Sequence, residues 1–472
     1  MHAADVVVML LYAAVVLGIG VWANRRQKDS EDYFLGGRKL RWWAVGISLI
    51  ATSFSSASLI GGTGFGFTNG LGYLQWQIGD LIAIGIVCAV FLPFFAAQPI
   101  TTAYQWLEVR FGRTARVCGS VMFLAQTAVR ASVLVYGPAL ALQAVLGWSV
   151  ELSIVVSAAA AIAYSAFGGI AAVVWTDCIQ FAVIVGGVLA CLFVVLGDVP
   201  GGVSAALDHA RANERLEAVT LTFDPKSPFN LVASVIPYMV LALSLFGTGQ
   251  QAVQRFLSCE DLPSARRAAF TGWLAGTIAL AMTLVLGVAL SAWSELAPAA
   301  EGFTVEKGDE ALPRFLVARL PPGLAGLMLA AIFAASMSSL DSAIHSMSTS
   351  FLVDIVRRPS LRLARLMTVV VGFVATFGAL AAARSESGLL VTMVTWLAYF
   401  AGPMLGLFLV GMLSKRPRER HALLGVAAGI AMVFVLAQFT AVLPFHRLWL
   451  CPIATLTTLL TGWAASLGRP AA

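Results

Sequence analysis

Apolar residues in this chain neither alternate with polar ones nor form a single stripe. They come in runs of about twenty, end to end, separated by short polar stretches. A run of that length crosses the ~30 Å hydrocarbon core of a bilayer as a helix. The strands of a membrane barrel would instead show as short alternating segments. The runs predict about thirteen helices, near residues 4–23, 42–68, 72–97, 116–146, 149–168, 170–197, 229–250, 266–293, 322–353, 363–383, 388–412, 421–440 and 446–467. The expected fold class is an all-α polytopic membrane protein.

Two runs are interrupted. The second reads SLIATSFSSASLIGGTGFGF, and the seventh ends LALSLFGTGQQ, with glycines and small polar residues deep in apolar sequence. Paired interruptions at corresponding places in two halves mark the binding site of transporters built as inverted repeats. Glycine is also common in ordinary membrane helices. The halves would be residues 42–197 and 229–412, five helices each. Residues 1–41 add a first helix and loop, and 413–472 add two more helices, all in one transmembrane domain. Unwinding of the second span is expected near Ala51 to Ser58, where main-chain carbonyls lose their helical partners and can face a cation. The hydroxyls of Ser53, Ser55 and Ser58 would then be free for a solute.

Composition agrees with the pattern. The chain is 59% hydrophobic and 11% charged, with mean hydropathy +0.86, where a soluble protein carries about a quarter charged residues. Net charge +6 would by itself admit a nucleic-acid partner, but placement argues otherwise. With the N-terminus outside, alternate loops hold Arg25, Arg26, Lys28, Arg38, Lys39 and Arg41; Arg110, Arg113 and Arg116; and Arg255, Arg266 and Arg267. The later ones hold Arg357, Arg358, Arg362 and Arg365; Lys415, Arg416, Arg418 and Arg420; and Arg469. Roughly 21 of the 30 basic residues therefore fall on one side, which the positive-inside rule makes cytoplasmic. The expected topology is N-terminus out, C-terminus in, and the basic balance reads as topology. The N-terminal run has no basic leader and no small-residue cleavage site, so it reads as a retained first span. Of six cysteines, five lie in apolar spans and none form a CxxC pair, so neither a disulfide framework nor a zinc site is expected.

Charge inside a membrane costs several kcal/mol and marks a functional site by default. Asp80, Arg130, Asp177, Asp341 and His345 are such residues. In AASMSSLDSAIHS, residues 334–346, the positions Ser338, Asp341, Ser342 and His345 share one helical face, with Ser339 beside them and Ala335 a turn earlier. A stripe of oxygens opposite a broken helix suits a dehydrated hard cation. The plainer reading has the serines bonding back to their own helix or gluing it to a neighbour. Arg130 offers a planar fork suited to a carboxylate, or else a structural ion pair with Asp80 or Asp177.

The stretches DYFLGGRKL, ATSFSSASLIGGTGFGF, GYLQWQIG, LVYGPALAL, GGIAAVVWTDCIQ, QQAVQRF and AASMSSLDSAIHS together resemble the solute:sodium symporter family, from Asp32 to Met412. The resemblance implies a five-plus-five inverted-repeat (LeuT-like) core and sodium-coupled secondary active transport of a small organic solute. By position it implies a sodium site from the carbonyls of Ala51, Phe54 and Ala335 and the hydroxyls of Ser338 and Ser339. A second sodium site would involve Asp177, Ser338, Asp341 and Ser342, although Asp341 stands where a hydroxyl residue is expected. The solute pocket would draw on Ser53, Ser55, Ser58 and Gln77, with Phe246 near the inner gate. Arg130 lies six residues before Tyr136, the spacing at which the family's sialic-acid transporters place a carboxylate-binding arginine. Sialic acid is thus the leading expectation, ahead of another sugar acid or a small monocarboxylate.

No enzyme activity, cofactor beyond the co-transported ion, or protein partner is expected; the partners are solute, sodium and lipid. The chain has no Gly-Lys pair and so no P-loop, and no HExxH of a metalloprotease. A channel or a solute sensor of similar shape, or a proton-coupled carrier, are the rival readings.

Overall fold

The computed structural model describes residues 2–24, 30–165, 169–297, 302–358, 360–383, 389–439 and 443–467. Arg25, Arg26, Lys28, Arg469 and the side chain of Tyr136 lie outside the described residues.

Thirteen apolar segments are helical among the described residues, because a bilayer leaves backbone N–H and C=O groups no partners but their own. They are α1 (Ala3–Asn24), the pair α2a (Trp42–Ser53) and α2b (Ser56–Asn69), α3 (Gly72–Ala96), α4 (Arg113–Leu146), α5 (Val150–Ser165) and α6 (Ile170–Asp198). Then come the pair α7a (Leu231–Gly247) and α7b (Gln250–Leu257), α8 (Leu262–Leu296) and α9 (Leu324–Ser350, helical on to Val356). The last are α10 (Leu361–Ala383), α11 (Leu389–Leu413), α12 (Glu419–Gln438) and α13 (Leu450–Leu467).

Both interruptions are real breaks. α2a and α2b meet at 70°, and α7a and α7b at 51°. The first break is narrower than the eight residues expected. Only Phe54 and Ser55 leave the helical region, and Ser55 restarts the helix at once in a capping box with Ser58. The second helix runs further than expected, since α7b continues to Leu257 beyond residue 250. Its sequence, QQAVQRFL, is too polar to read as a span, yet Gln250, Gln254 and Arg255 are buried.

α8 lies along both halves of α2, and α9 packs against α4, α6 and α2a. Glycine permits the closest of these approaches. A methyl group at Gly66 of α2b would strike the Leu284 carbonyl, and one at Gly287 of α8 would strike the Thr63 carbonyl. Small residues that bring backbones together are how membrane helices associate without a hydrophobic driving force. α9 is the most enclosed of the long helices, with every residue from Ala334 to Ser350 buried.

Candidate functional site

A helix that stops in mid-membrane strands its last carbonyls. At the end of α2a the Phe54 N–H still reaches Ile50 O at 2.7 Å, but the next N–H, of Ser55, goes to Ser58 Oγ at 3.3 Å. The carbonyls of Ala51 and Thr52 are left to other partners, and the structure supplies two.

Ala51 O accepts from α9. Ser338 Oγ donates to it at 2.8 Å and Ser339 Oγ at 3.4 Å, while Ser338 also reaches Ala335 O at 3.2 Å. Phe54 packs in the same apolar cluster as Ala335. Ala51, Phe54, Ala335, Ser338 and Ser339 are thus gathered in one buried locus between α2 and α9. A hydroxyl carries two lone pairs beside its proton. A cation entering here would meet stranded carbonyls and serine oxygens, the ligand type that broken transporter helices offer sodium.

Thr52 O accepts from α4. Arg130 Nη2 donates to it at 3.0 Å, and Arg130 Nη1 reaches Gln251 Oε1 of α7b at 3.4 Å. Arg130 therefore touches both broken helices at their breaks. Neither of the ion pairs weighed from the sequence forms. Asp177 pairs with Arg255, and among the described residues no ion pair joins Asp80 to Arg130. Among the described residues two of the five Arg130 N–H groups are engaged.

A second cluster lies one turn along α2a. Ser48 Oγ donates to Asp177 Oδ2 at 2.5 Å and accepts from Arg255 Nε at 2.8 Å. Arg255 Nη2 lies 3.2 Å from Asp177 Oδ2 and also bonds Ser342 Oγ. Ser342 Oγ meets Thr52 Oγ1 at 2.9 Å and lies 3.4 Å from Asp341 Oδ1. Asp177 and Arg255 are 0% and 1% exposed, so this is a fully buried ion pair. Position along the chain places Arg255 in a cytoplasmic loop. It is instead in the core, carried there by the unforeseen α7b. Arg116, placed in a loop in the same way, is also buried, between Glu108 at 2.5 Å and Asp354 at 2.9 Å. The guanidinium of Arg255 sits between Asp177 and Ser342, two of the four groups considered for a second ion.

The hydroxyls expected to be free for solute are engaged locally. Ser53 Oγ bonds back to Leu49 O at 3.2 Å, and Ser55 and Ser58 form the cap of α2b. Gln77 faces α8, its Oε1 accepting from Thr277 Oγ1 at 2.9 Å and its carbonyl from Trp273 Nε1 at 3.0 Å. Phe246 is partly buried near the end of α7a, just before the break. Sequence reasoning missed Ser48, Thr52, Gln251 and Arg255. The available signal was a row of three glutamines and an arginine directly after a glycine break in an apolar run.

The profile of the sodium:solute symporter family matches residues 33–429. The chain belongs to that family. It is 29% identical to the sodium/sialic acid symporter SiaT of Proteus mirabilis, over 90% of this chain and 88% of that one. It is 30% identical to the sodium/sialic acid symporter NanT of Aliivibrio fischeri, over 90% and 86%. Among solved structures, a substrate-bound, outward-open Na+-coupled sialic acid symporter superposes with a TM-score of 0.89 at 26% identity, covering 100% of this chain and 98% of that one. The nucleobase-cation-symport-1 transporter Mhp1 superposes at 0.62 with 14% identity, covering 92% and 93%, a likeness of fold alone. This family member is a multi-pass membrane symporter with a LeuT-like fold, and sodium is its co-transported ion.

Proposed function

We propose that this symporter imports a small carboxylate, sialic acid or a related sugar acid, with the N-terminus outside and the C-terminus cytoplasmic. The observation that carries the reading is the seating of Arg130. Its guanidinium caps the Thr52 carbonyl, next in sequence to the Ala51 carbonyl that faces Ser338 and Ser339. An anion on Arg130 and a cation beside Ala51 would be held by consecutive peptide units of one broken helix. Each would then stabilise the α2a terminus that the other needs.

In this reading Ala51, Phe54, Ala335, Ser338 and Ser339 hold sodium. Arg130 holds the carboxylate, and Gln77, Phe246 and the Ser53–Ser58 turn shape the rest of the pocket. The two inverted repeats are residues 42–197 and 229–412. The sialic acid symporters among the relatives support the solute class. A small monocarboxylate is the second reading, favoured by the human sodium-coupled monocarboxylate transporter 2, 28% identical over 96% of this chain and 75% of that one.

The test is uptake of labelled sialic acid into proteoliposomes under an inward sodium gradient, with potassium and an imposed pH gradient as controls, for wild type and Arg130→Ala. Sodium-driven uptake that is lost in the variant is the expected result. Undiminished uptake by the variant would make Arg130 structural.

A further inference from the structure

The residue that orients Arg130 has chemistry of its own left over. Gln251 is the second residue of α7b, two positions past the hinge glycine Gly249. Its Oε1 accepts from Arg130 Nη1 at 3.4 Å, and its main-chain carbonyl accepts from Arg255 Nη1 at 3.0 Å. Gln251 is therefore held between a partly buried arginine, Arg130, and a buried one, Arg255. Its amide orientation follows from chemistry, because only the oxygen can face a guanidinium. The amide nitrogen Nε2 is then directed away from Arg130. It is buried and has no hydrogen-bond partner among the described residues.

A buried donor left without an acceptor costs about 1–3 kcal/mol, and such a group in a native fold calls for a reason. Neither helix packing nor capping supplies one here. Gln250 and Gln254, its neighbours on α7b, both use their Nε2 groups. Gln250 donates to Thr101 O at 3.1 Å, and Gln254 donates to Phe34 O at 2.7 Å and Thr349 Oγ1 at 3.0 Å. Gln251 alone of the three keeps its N–H unspent, and it does so beside the fork of Arg130.

We propose that Gln251 is a recognition and positioning residue of the solute site. Its Oε1, with Thr52 O, fixes the plane of the Arg130 guanidinium, and its Nε2 donates to an oxygen of the solute's anionic group. A carboxylate held this way takes an N–H from α4 and an N–H from α7b, so its binding ties the second broken helix to the first. This deepens the proposed function and rests on Arg130 meeting an anion.

Gln251→Glu turns the argument into a measurement. The new carboxylate has the shape of the amide and stands where Arg130 Nη1 already points, so it pairs with Arg130 internally and repels an incoming anion. The probes are sialic acid and its 1-carboxamide, competed against labelled sialic acid on wild type and by direct calorimetric binding on each variant, in saturating sodium. Wild type is expected to prefer acid over amide by about tenfold or more, in line with a charge-assisted pair. Gln251→Glu is expected to lose or invert that preference, and Gln251→Met to reduce it several-fold with no inversion. A merely structural role would lower both affinities together and leave their ratio unchanged, which overturns the inference. The same holds if Gln251→Glu keeps the wild-type ratio. A wild type with no preference for the acid overturns the anionic reading itself, and the inference falls with it. Should Gln251→Glu fail to fold, the ratio for Gln251→Met decides.

Discussion

Asp177 and Arg255 give the sharpest energetic test of the architecture. At 3.2 Å, two unit charges attract by about 5 kcal/mol at an effective dielectric of 20. Desolvating both ions offsets much of that, so the net value of the pair is small, while removal of one partner strands a buried charge at a cost of about 3–5 kcal/mol. Asp177→Asn should lower unfolding stability by that amount, because Asn keeps the shape and the contact to Ser48 but leaves the guanidinium uncompensated. Arg255→Met should cost about as much, by leaving the buried Asp177 carboxylate, among the described residues, with the Ser48 hydroxyl as its one side-chain hydrogen-bond donor. The double variant should recover to within about 2 kcal/mol of wild type, since apolar replacement of a buried pair is often neutral. Equilibrium unfolding in mixed micelles, followed by tryptophan fluorescence, supplies the double-mutant cycle. Additive costs in the double variant would refute the reasoning, for they would mean the two groups do not compensate each other's charge.

Ser338→Ala or Ser339→Ala should weaken sodium binding about 10- to 150-fold, the loss of one charge-assisted contact of about 1.5–3 kcal/mol; sodium titration of each variant's thermal stability is the check, and an unchanged midpoint would exclude that serine from the site. One sodium and one monocarboxylate together carry no net charge, so the pair should be imported without net charge movement. Uptake of sialic acid would then be insensitive to membrane potential, whereas a second sodium would add about 2.3 kcal/mol per 100 mV, roughly a 50-fold gain in accumulation. Gly287→Ala should destabilise the α2b–α8 contact by about 1–3 kcal/mol of overpacking against the Thr63 carbonyl, seen as a lowered unfolding temperature; an unchanged one would mean the helices separate freely. Glu108, on the segment between α3 and α4, is held below the usual glutamate range, chiefly by the hydrogen bond from Arg116. A depressed carboxylate contributes stability above its unfolded-state pKa and loses it as pH falls through the folded one. Acid should therefore loosen this corner in wild type, and Glu108→Gln should flatten that part of the pH profile.

What the sequence made legible was whatever writes itself in runs. Thirteen spans, the glycine-marked break in each half and the serine stripe of α9 all follow from apolarity and its interruptions. Arg130 stood out because a guanidinium in such a run has no ordinary explanation. α7b was illegible for the opposite reason. Its glutamines and arginine are buried against other polar groups, so it carries the composition of a loop while occupying the core. The charge tally inherited that error, assigning Arg255 and Arg116 to loops because it reads position along the chain and not depth in the bundle. The local bonding of the Ser53, Ser55 and Ser58 hydroxyls was not legible, because it depends on the extent of the break. Eight unwound residues would have freed them, but a two-residue break leaves them bonding or capping their own helices.

That narrow break also bears on how coupling can work. A long unwound loop could adjust each carbonyl separately, and cation and solute could bind without sensing one another. With only Phe54 and Ser55 out of the helix, Ala51 and Thr52 remain on the rigid end of α2a, and their carbonyls cannot move independently. Arg130 and Gln251 anchor one of them to α4 and α7b, and Ser338 and Ser339 anchor the other to α9. In the proposed cycle an anion that stiffens the first anchorage also fixes the second, and by linkage sodium returns the same free energy to the solute. The shortness of the break, more than the number of ligands, is what would make the two sites one.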